Sequence, residues 1–127
     1  MSDIQSPEAE QTRKHLIKLF QSVRNDAYSD MASILLYRGN DKTRHWKEFV
    51  DLNIEDDRSY IERMGKRIKR YQDESEGYVF SEYMTEEDKE GFWYVWEILF
   101  KMGPDQRRCY FRFKKIGNSL GLADIDS

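Results

Sequence analysis

The feature that most constrains this chain is a change of hydrophobic period at Gly77. Before it, apolar residues recur at three- and four-residue steps; after it, apolar and polar residues alternate. The first half therefore offers apolar stripes on helices and the second offers apolar faces on strands. Neither can be buried alone, so the two must pack on each other. The aromatic supply suits this arrangement: 7 Phe, 8 Tyr and 3 Trp give 14% aromatic residues in a chain that is only 39% hydrophobic. The expected fold is α+β, with N-terminal helices on one face of a curved, mostly antiparallel sheet of about four strands. A chain of 127 residues suits a single domain, helical over about residues 7–73 and sheet over about 77–126.

Ser6-Pro7-Glu8 is a helix start, with a capping hydroxyl, a proline in the first turn and an acid at the positive end of the dipole. Leu16, Leu19, Phe20 and Val23 then form one stripe to about Arg24. Ala27, Met31, Ile34 and Leu35 predict a short second helix, and Trp46, Phe49 and Val50 a further turn or short helix. Asp56-Asp57 can cap a third helix, with Ile61, Met64, Ile68 and Tyr71 on one side and Arg63, Lys66 and Arg70 on the other. Gly65 within it marks a close approach to another backbone.

Strands are expected over residues 78–84, 92–101, 107–116 and 120–125, separated by residues 85–91, a turn at 103–106 and a turn at Gly117-Asn118. With Pro104-Asp105 at the centre of the middle turn, Phe100 faces Cys109, Ile98 faces Phe111, Trp96 faces Phe113 and Glu97 faces Arg112. That register segregates apolar from charged partners, whereas a one-residue slip mixes them. It gives an apolar face of Phe80, Met84, Phe92, Tyr94, Trp96, Ile98, Phe100, Phe111, Phe113 and Leu122, shared by Glu82. The opposite face carries Trp93, Val95, Leu99 and Tyr110 among Glu97, Arg112 and Lys114. So apolar an outer face implies a partner surface, most simply a second copy of the chain.

Charge and cysteine content exclude several classes. The net charge is −3, which argues against a nucleic-acid partner, since such binding draws on a basic excess. The basic run of residues 57–71 (six bases, two acids) is answered by residues 72–90 (eight acids, one base) and reads as a solvated, balanced helix face. Cys109 is alone, which precludes an intramolecular disulfide and a multi-cysteine metal site and suits a reducing, cytoplasmic setting. No long apolar run predicts a membrane span. Residues 1–6 have neither a basic start nor an apolar core and do not read as a signal peptide.

Helices followed by an antiparallel meander resemble the nuclear-transport-factor-2-like superfamily, the cone-shaped group that includes ketosteroid-isomerase-like proteins. The resemblance is carried by Leu16-Ile17-Lys18-Leu19-Phe20 with Asn25-Asp26-Ala27-Tyr28, and by the closing strands Tyr110 to Asn118 and Leu120 to Asp126. Residues 37–71 depart from the common pattern in being more helical and more basic. The resemblance implies a pocket between sheet and helices and homodimerisation through the sheet. It does not select a function.

Two functional readings follow. The first is a non-catalytic module, dimeric through Trp93, Val95, Glu97, Leu99, Tyr110 and Arg112, with room for a small apolar ligand among Phe80, Glu82, Tyr94, Trp96, Phe111 and Phe113. The alternative is an isomerase, cyclase or dehydratase in which Glu82 or Asp124, desolvated by aromatic rings, serves as acid or base and Tyr94 donates a hydrogen bond. Against the alternative, Glu82 near a sheet edge and Asp124 near the terminus can simply be solvated. A third reading uses the charged patches to hold a protein partner. His15 and His45 lack acids or thiols at metal-ligand spacing, the glycines form no phosphate loop, and Cys109 faces the core as an inert thiol. No cofactor and no metal is expected.

Overall fold

A computed structural model describes residues 6–127, so the reading of residues 1–5 as part of no signal peptide lies outside the described residues. Helix α1 (Pro7–Arg24) begins where the sequence signal places it. Ser6 Oγ accepts from the Ala9 amide at 3.1 Å, Pro7 occupies the first turn, and Glu8 and Glu10 complement the dipole. Its stripe of Leu16, Leu19, Phe20 and Val23 is buried.

Residues Tyr28–Ser33 form a 3-10 helix, after which the chain runs extended. The Leu36 amide donates to Leu122 O (2.9 Å) and the Leu122 amide to Ile34 O (2.7 Å), a parallel bridge to the last strand. Phe49 then pairs back on Leu36. The expected turn or short helix at Trp46 to Val50 is a turn through Trp46 followed by the return arm of a loop, where the Tyr37 amide donates to Glu48 O (2.9 Å) and the Val50 amide to Leu35 O (3.1 Å).

Helix α2 (Glu55–Asp73) starts without a side-chain cap. Asp56 and Asp57 sit in its first turn, but their carboxylates serve tertiary bonds instead. Asp56 accepts from the Tyr37 hydroxyl at 2.6 Å. Asp57, fully buried, accepts from both terminal nitrogens of Arg44 (3.1 and 2.8 Å) and from the Asp51 amide (2.7 Å). Gly65 does mark a close approach, to a ring and not to a backbone: a Cβ there would lie 2.7 Å from Tyr28 Cγ.

Strands β1 (Gly77–Asp88), β2 (Gly91–Met102), β3 (Asp105–Ile116) and β4 (Ser119–Asp126) form one antiparallel sheet in the order β1-β2-β3-β4. Thr85 to Asp88 extend β1, so β1 and β2 are joined by a tight turn and not by the expected seven-residue separator. The β2–β3 register is two residues from the expected one: Ile98 faces Cys109, Trp96 faces Phe111 and Met102 faces Asp105. The central turn residues are therefore Gly103 and Pro104. Gly103 has φ +65°, as the first centre of a type II′ turn requires, whereas proline at that place cannot reach positive φ. A two-residue slip leaves every side chain on its expected face in β2 and β3.

Two bulges do change faces. One lies between Phe80 and Glu82 in β1; the other accompanies the step from Arg112 to Phe113, where β4 carries the extra Ala123. Helix α1 crosses the core face. Phe20 contacts the rings of Tyr78, Phe100 and Phe111 (4.6, 6.0 and 5.4 Å between centroids), and the Trp96 indole donates to Thr12 Oγ1 at 2.9 Å. Leu120 and Leu122 face Lys115 and Phe113, as expected.

Replacing Gly65 with alanine forces the Tyr28 ring away from α2. Overpacking of this kind costs about 1–3 kcal/mol, more than the ~1 kcal/mol of helix propensity that alanine returns. Urea unfolding of Gly65→Ala should show a lower midpoint with an unchanged slope, and adding Tyr28→Ser should remove most of the penalty of the alanine.

Candidate functional site

Of the residues expected to line a pocket, Trp96, Phe111 and Phe113 form core, Tyr94 borders a cleft and Glu82 lies outside. Trp96, Phe111 and Phe113 are buried, and Phe80 packs at their margin under Arg13, whose guanidinium carbon lies 4.8 Å from its ring centroid. A cleft of about 300 Å³ remains at the end of the core face, lined by Ser6, Glu8, Tyr83, Thr85, Phe92 and Tyr94. Phe92 is 49% exposed there, and its ring lies 5.3 Å from that of Tyr94.

The two candidate acids are not with Tyr94. The β1 bulge turns Glu82 onto the outer face, exposed and directly opposite Glu97, and brings Tyr83 into the core. The β4 bulge turns Asp124 onto the same outer face, opposite Arg112, and sends Ile125 inward. Asp124 is held by Arg38 and, at 3.5 Å, by Arg112. The expected placement of these acids among aromatic rings assumed unbroken alternation, which one extra residue per strand reverses.

The outer face is also not as free as its composition suggests. Trp93 and Val95, expected on a dimer face, are each 1% exposed because Leu36, Trp46 and Phe49 of the returning loop cover them. Trp46 meets Trp93 edge-on at 5.1 Å and holds a left-handed φ of +62°. Lys114 Nζ lies 4.0 Å from the Trp93 ring centroid and 5.6 Å from that of Trp46, and donates to Glu90 O at 2.7 Å. Burial holds its ammonium below the usual lysine range. In the sequence Trp46 reads as part of a turn or short helix with Phe49 and Val50, and nothing there indicates that it lies over Trp93.

The registers arrange the outer face in rows across the strands. Glu82, Glu97, Tyr110 and Asp126 form one; Val79, Leu99 and Arg108 form the next. Glu97, 9% exposed, forms an ion pair with Arg108 Nε at 3.2 Å, and the Tyr110 hydroxyl bonds to it, which raises the phenol pKa. Val79 is 39% exposed, while Met84, Leu99 and Tyr110 are half-buried. Between this strip and the covered part lies a cleft of about 220 Å³ lined by Glu86, Val95, Tyr110, Arg112 and Asp126. Arg112 is bonded there to Glu86 at 3.0 Å.

The remaining candidates are structural in their contacts. His45 Nε2 is bonded to Gly39 O within the loop. Cys109 is buried, and burial pushes its thiol pKa up, away from reactivity. Among the described residues, no three histidines, cysteines or acids gather as a metal site, and no helix is long and apolar enough to cross a membrane. The bases of α2 are balanced mostly close by: Lys66 by Glu62, Lys69 by Asp26, and Arg67 by the Tyr71 hydroxyl and Ile125 O. From residues 72–90, Glu74 reaches Arg107 instead. No family model, curated protein or solved structure matches the chain.

His15 lies half-buried against the Phe113 ring, and burial, then the Lys18 charge, hold its pKa below the ordinary 6.5. The folded protein therefore binds this proton less well than the unfolded chain does. Stability from this group is present above pH 6.5 and is lost as pH falls below it. Urea midpoints should drop between about pH 7.5 and about 5.5, and His15→Gln should flatten that drop; an equal drop in the variant assigns it elsewhere.

Proposed function

We propose that this chain is a non-catalytic interaction module that pairs with a second copy of itself through the uncovered part of the outer sheet face. The observation that carries this is the strip of exposed Val79 and half-buried Met84, Leu99 and Tyr110, on a face whose other half is sealed by the returning loop. A non-catalytic role is supported by the separation of Glu82 and Asp124 from Tyr94, on opposite faces of the sheet, and by the two arginines that already hold Asp124. We also propose a kinship with the nuclear-transport-factor-2-like group, which the helices-first order and four-stranded antiparallel sheet support. The buried thiol suits a reducing, cytoplasmic setting.

A narrower second role, holding a small apolar or aromatic ligand, is favoured by the half-exposed Phe92 ring in the cleft beside Tyr83 and Tyr94. An environment-sensitive apolar dye should bind the protein with its signal lost in Phe92→Ser and kept in Leu99→Glu. Equal binding to both variants overturns that role.

For the pairing itself, sedimentation equilibrium should show a dimer for the unaltered chain. Leu99→Glu should weaken it at least about 30-fold, corresponding to the ~2 kcal/mol that marks a central interface residue. Its circular dichroism should stay the same. A chain that sediments as a monomer at all accessible concentrations overturns the reading.

A further inference from the structure

We propose that Lys101 of each copy seats its side chain in the outer-face cleft of the other, between Val95 and the carboxylates of Glu86 and Asp126. This rests on the sheet-to-sheet pairing proposed above and names the contact that sets its register.

The cleft has the chemistry of a lysine receptor. Val95, nearly buried beneath the returning loop, closes the bottom of the cleft, Glu86 and Asp126 are acidic walls, and Tyr110 completes the rim. Arg112 is committed to Glu86 and Asp124, and Asp124 is also held by Arg38. Asp126 has no ion pair among the described residues. The group of Glu86, Asp124 and Asp126 against Arg38 and Arg112 thus carries one excess negative charge. An alkyl stem ending in an ammonium satisfies both the floor and that charge. A space of about 220 Å³ accepts such a side chain.

Lys101 is the complementary group. It is exposed, lies on the same outer face of β2 as Val95, and has no ion pair among the described residues. It stands six residues beyond Val95, roughly 20 Å along the strand at ~3.3 Å per residue, too far to fold back into its own cleft. A two-fold axis lying between the sheets, across the strands and level with the step from Glu97 to Leu99, removes that distance. It sets Lys101 of each copy over Val95 of the other, since the two are equally far from the axis. The same operation lays Arg108 of each copy over Tyr110 of the other, beside the like-charged pair of Glu82 and Glu97. Arg108 is exposed and reaches its own Glu97 through Nε at 3.2 Å. Facing sheets pack about 10 Å apart, a gap that lysine and arginine stems span.

The test uses two exposed positions, Lys101→Glu and Asp126→Lys, with circular dichroism to establish folding. Each variant alone should dimerise at least about tenfold more weakly than the unaltered chain, because like charges then meet at both ends of the interface. An equimolar mixture should recover the original affinity, as the hetero-pair restores one attractive contact in each cleft. Higher salt should weaken the unaltered dimer. If Leu99→Glu is monomeric while Lys101→Glu pairs as tightly as the unaltered chain, the face is right and the lysine seat is overturned. Weakening in both single variants without recovery in the mixture also overturns the seat. A monomeric unaltered chain removes the pairing and the seat together.

Discussion

A strand places successive side chains on opposite faces, so one extra residue exchanges faces for everything beyond it. This protein uses that device twice, in β1 between Phe80 and Glu82 and in β4 at Ala123. Both solve the same problem. Without the first, Glu82 would point at Trp96 and Phe80; with it, Tyr83 takes the inward place. Without the second, Asp124 would point beneath α1; with it, Ile125 does. An unpaired carboxylate in that aromatic interior costs several kcal/mol, far more than the ladder bond that a bulge disturbs. The core under α1 is therefore free of carboxylates because the sheet is irregular, and both acids become part of the outer surface.

That outer surface is divided by the loop of residues 34–50. The loop is pinned at its base by Asp57, which accepts three hydrogen bonds in full burial, and by the Arg44 guanidinium lying 3.8 Å from the Tyr37 ring centroid. These contacts hold the left-handed Trp46 in place, a conformation that costs of order 1–3 kcal/mol and persists only under such constraint. The indole then closes Trp93 and the stem of Lys114 from water. Removing Arg44 leaves the fully buried Asp57 carboxylate without its counter-ion, so the loop, and with it the boundary of the exposed strip, depends on a polar contact away from the sheet.

The parts of the fold that could be read in sequence are those decided by local chemistry. Ser6-Pro7 started α1, the stripe of Leu16 to Val23 identified its buried side, and the period change at Gly77 divided helices from sheet. The facing of β2 and β3 was legible although the register was two residues off, because parity survives an even slip. Weighing Gly103 as the first turn residue would have corrected it. The bulges were not legible, since alternation through Tyr78, Phe80, Glu82 and Met84 looks continuous until the cost of Glu82 inside is counted. The fate of Asp57 was hidden for a related reason: an acid at a helix start reads as a cap, and only the distant Arg44 shows its tertiary role. The cover over Trp93 depends on a parallel bridge between Leu35 and Leu122, residues 87 apart, which no local pattern encodes.

These constraints direct function to the surface. With α1 and the aromatic set filling the core face, the described interior keeps no buried acid beside Tyr94. The outer face, by contrast, holds charges whose partners within the chain are incomplete. Glu82 and Glu97 lie opposite each other, Arg108 of β3 pairs with Glu97, and like charges in that position oppose strand pairing. A chain that tolerates this on a half-apolar face carries a local cost that a cation from outside would relieve. Lys101 and Arg108 stand exposed on the same face. In the proposed pairing, the offset between these cations and the acids is what matches the surface to its own inverted copy, the condition a two-fold interface has to meet.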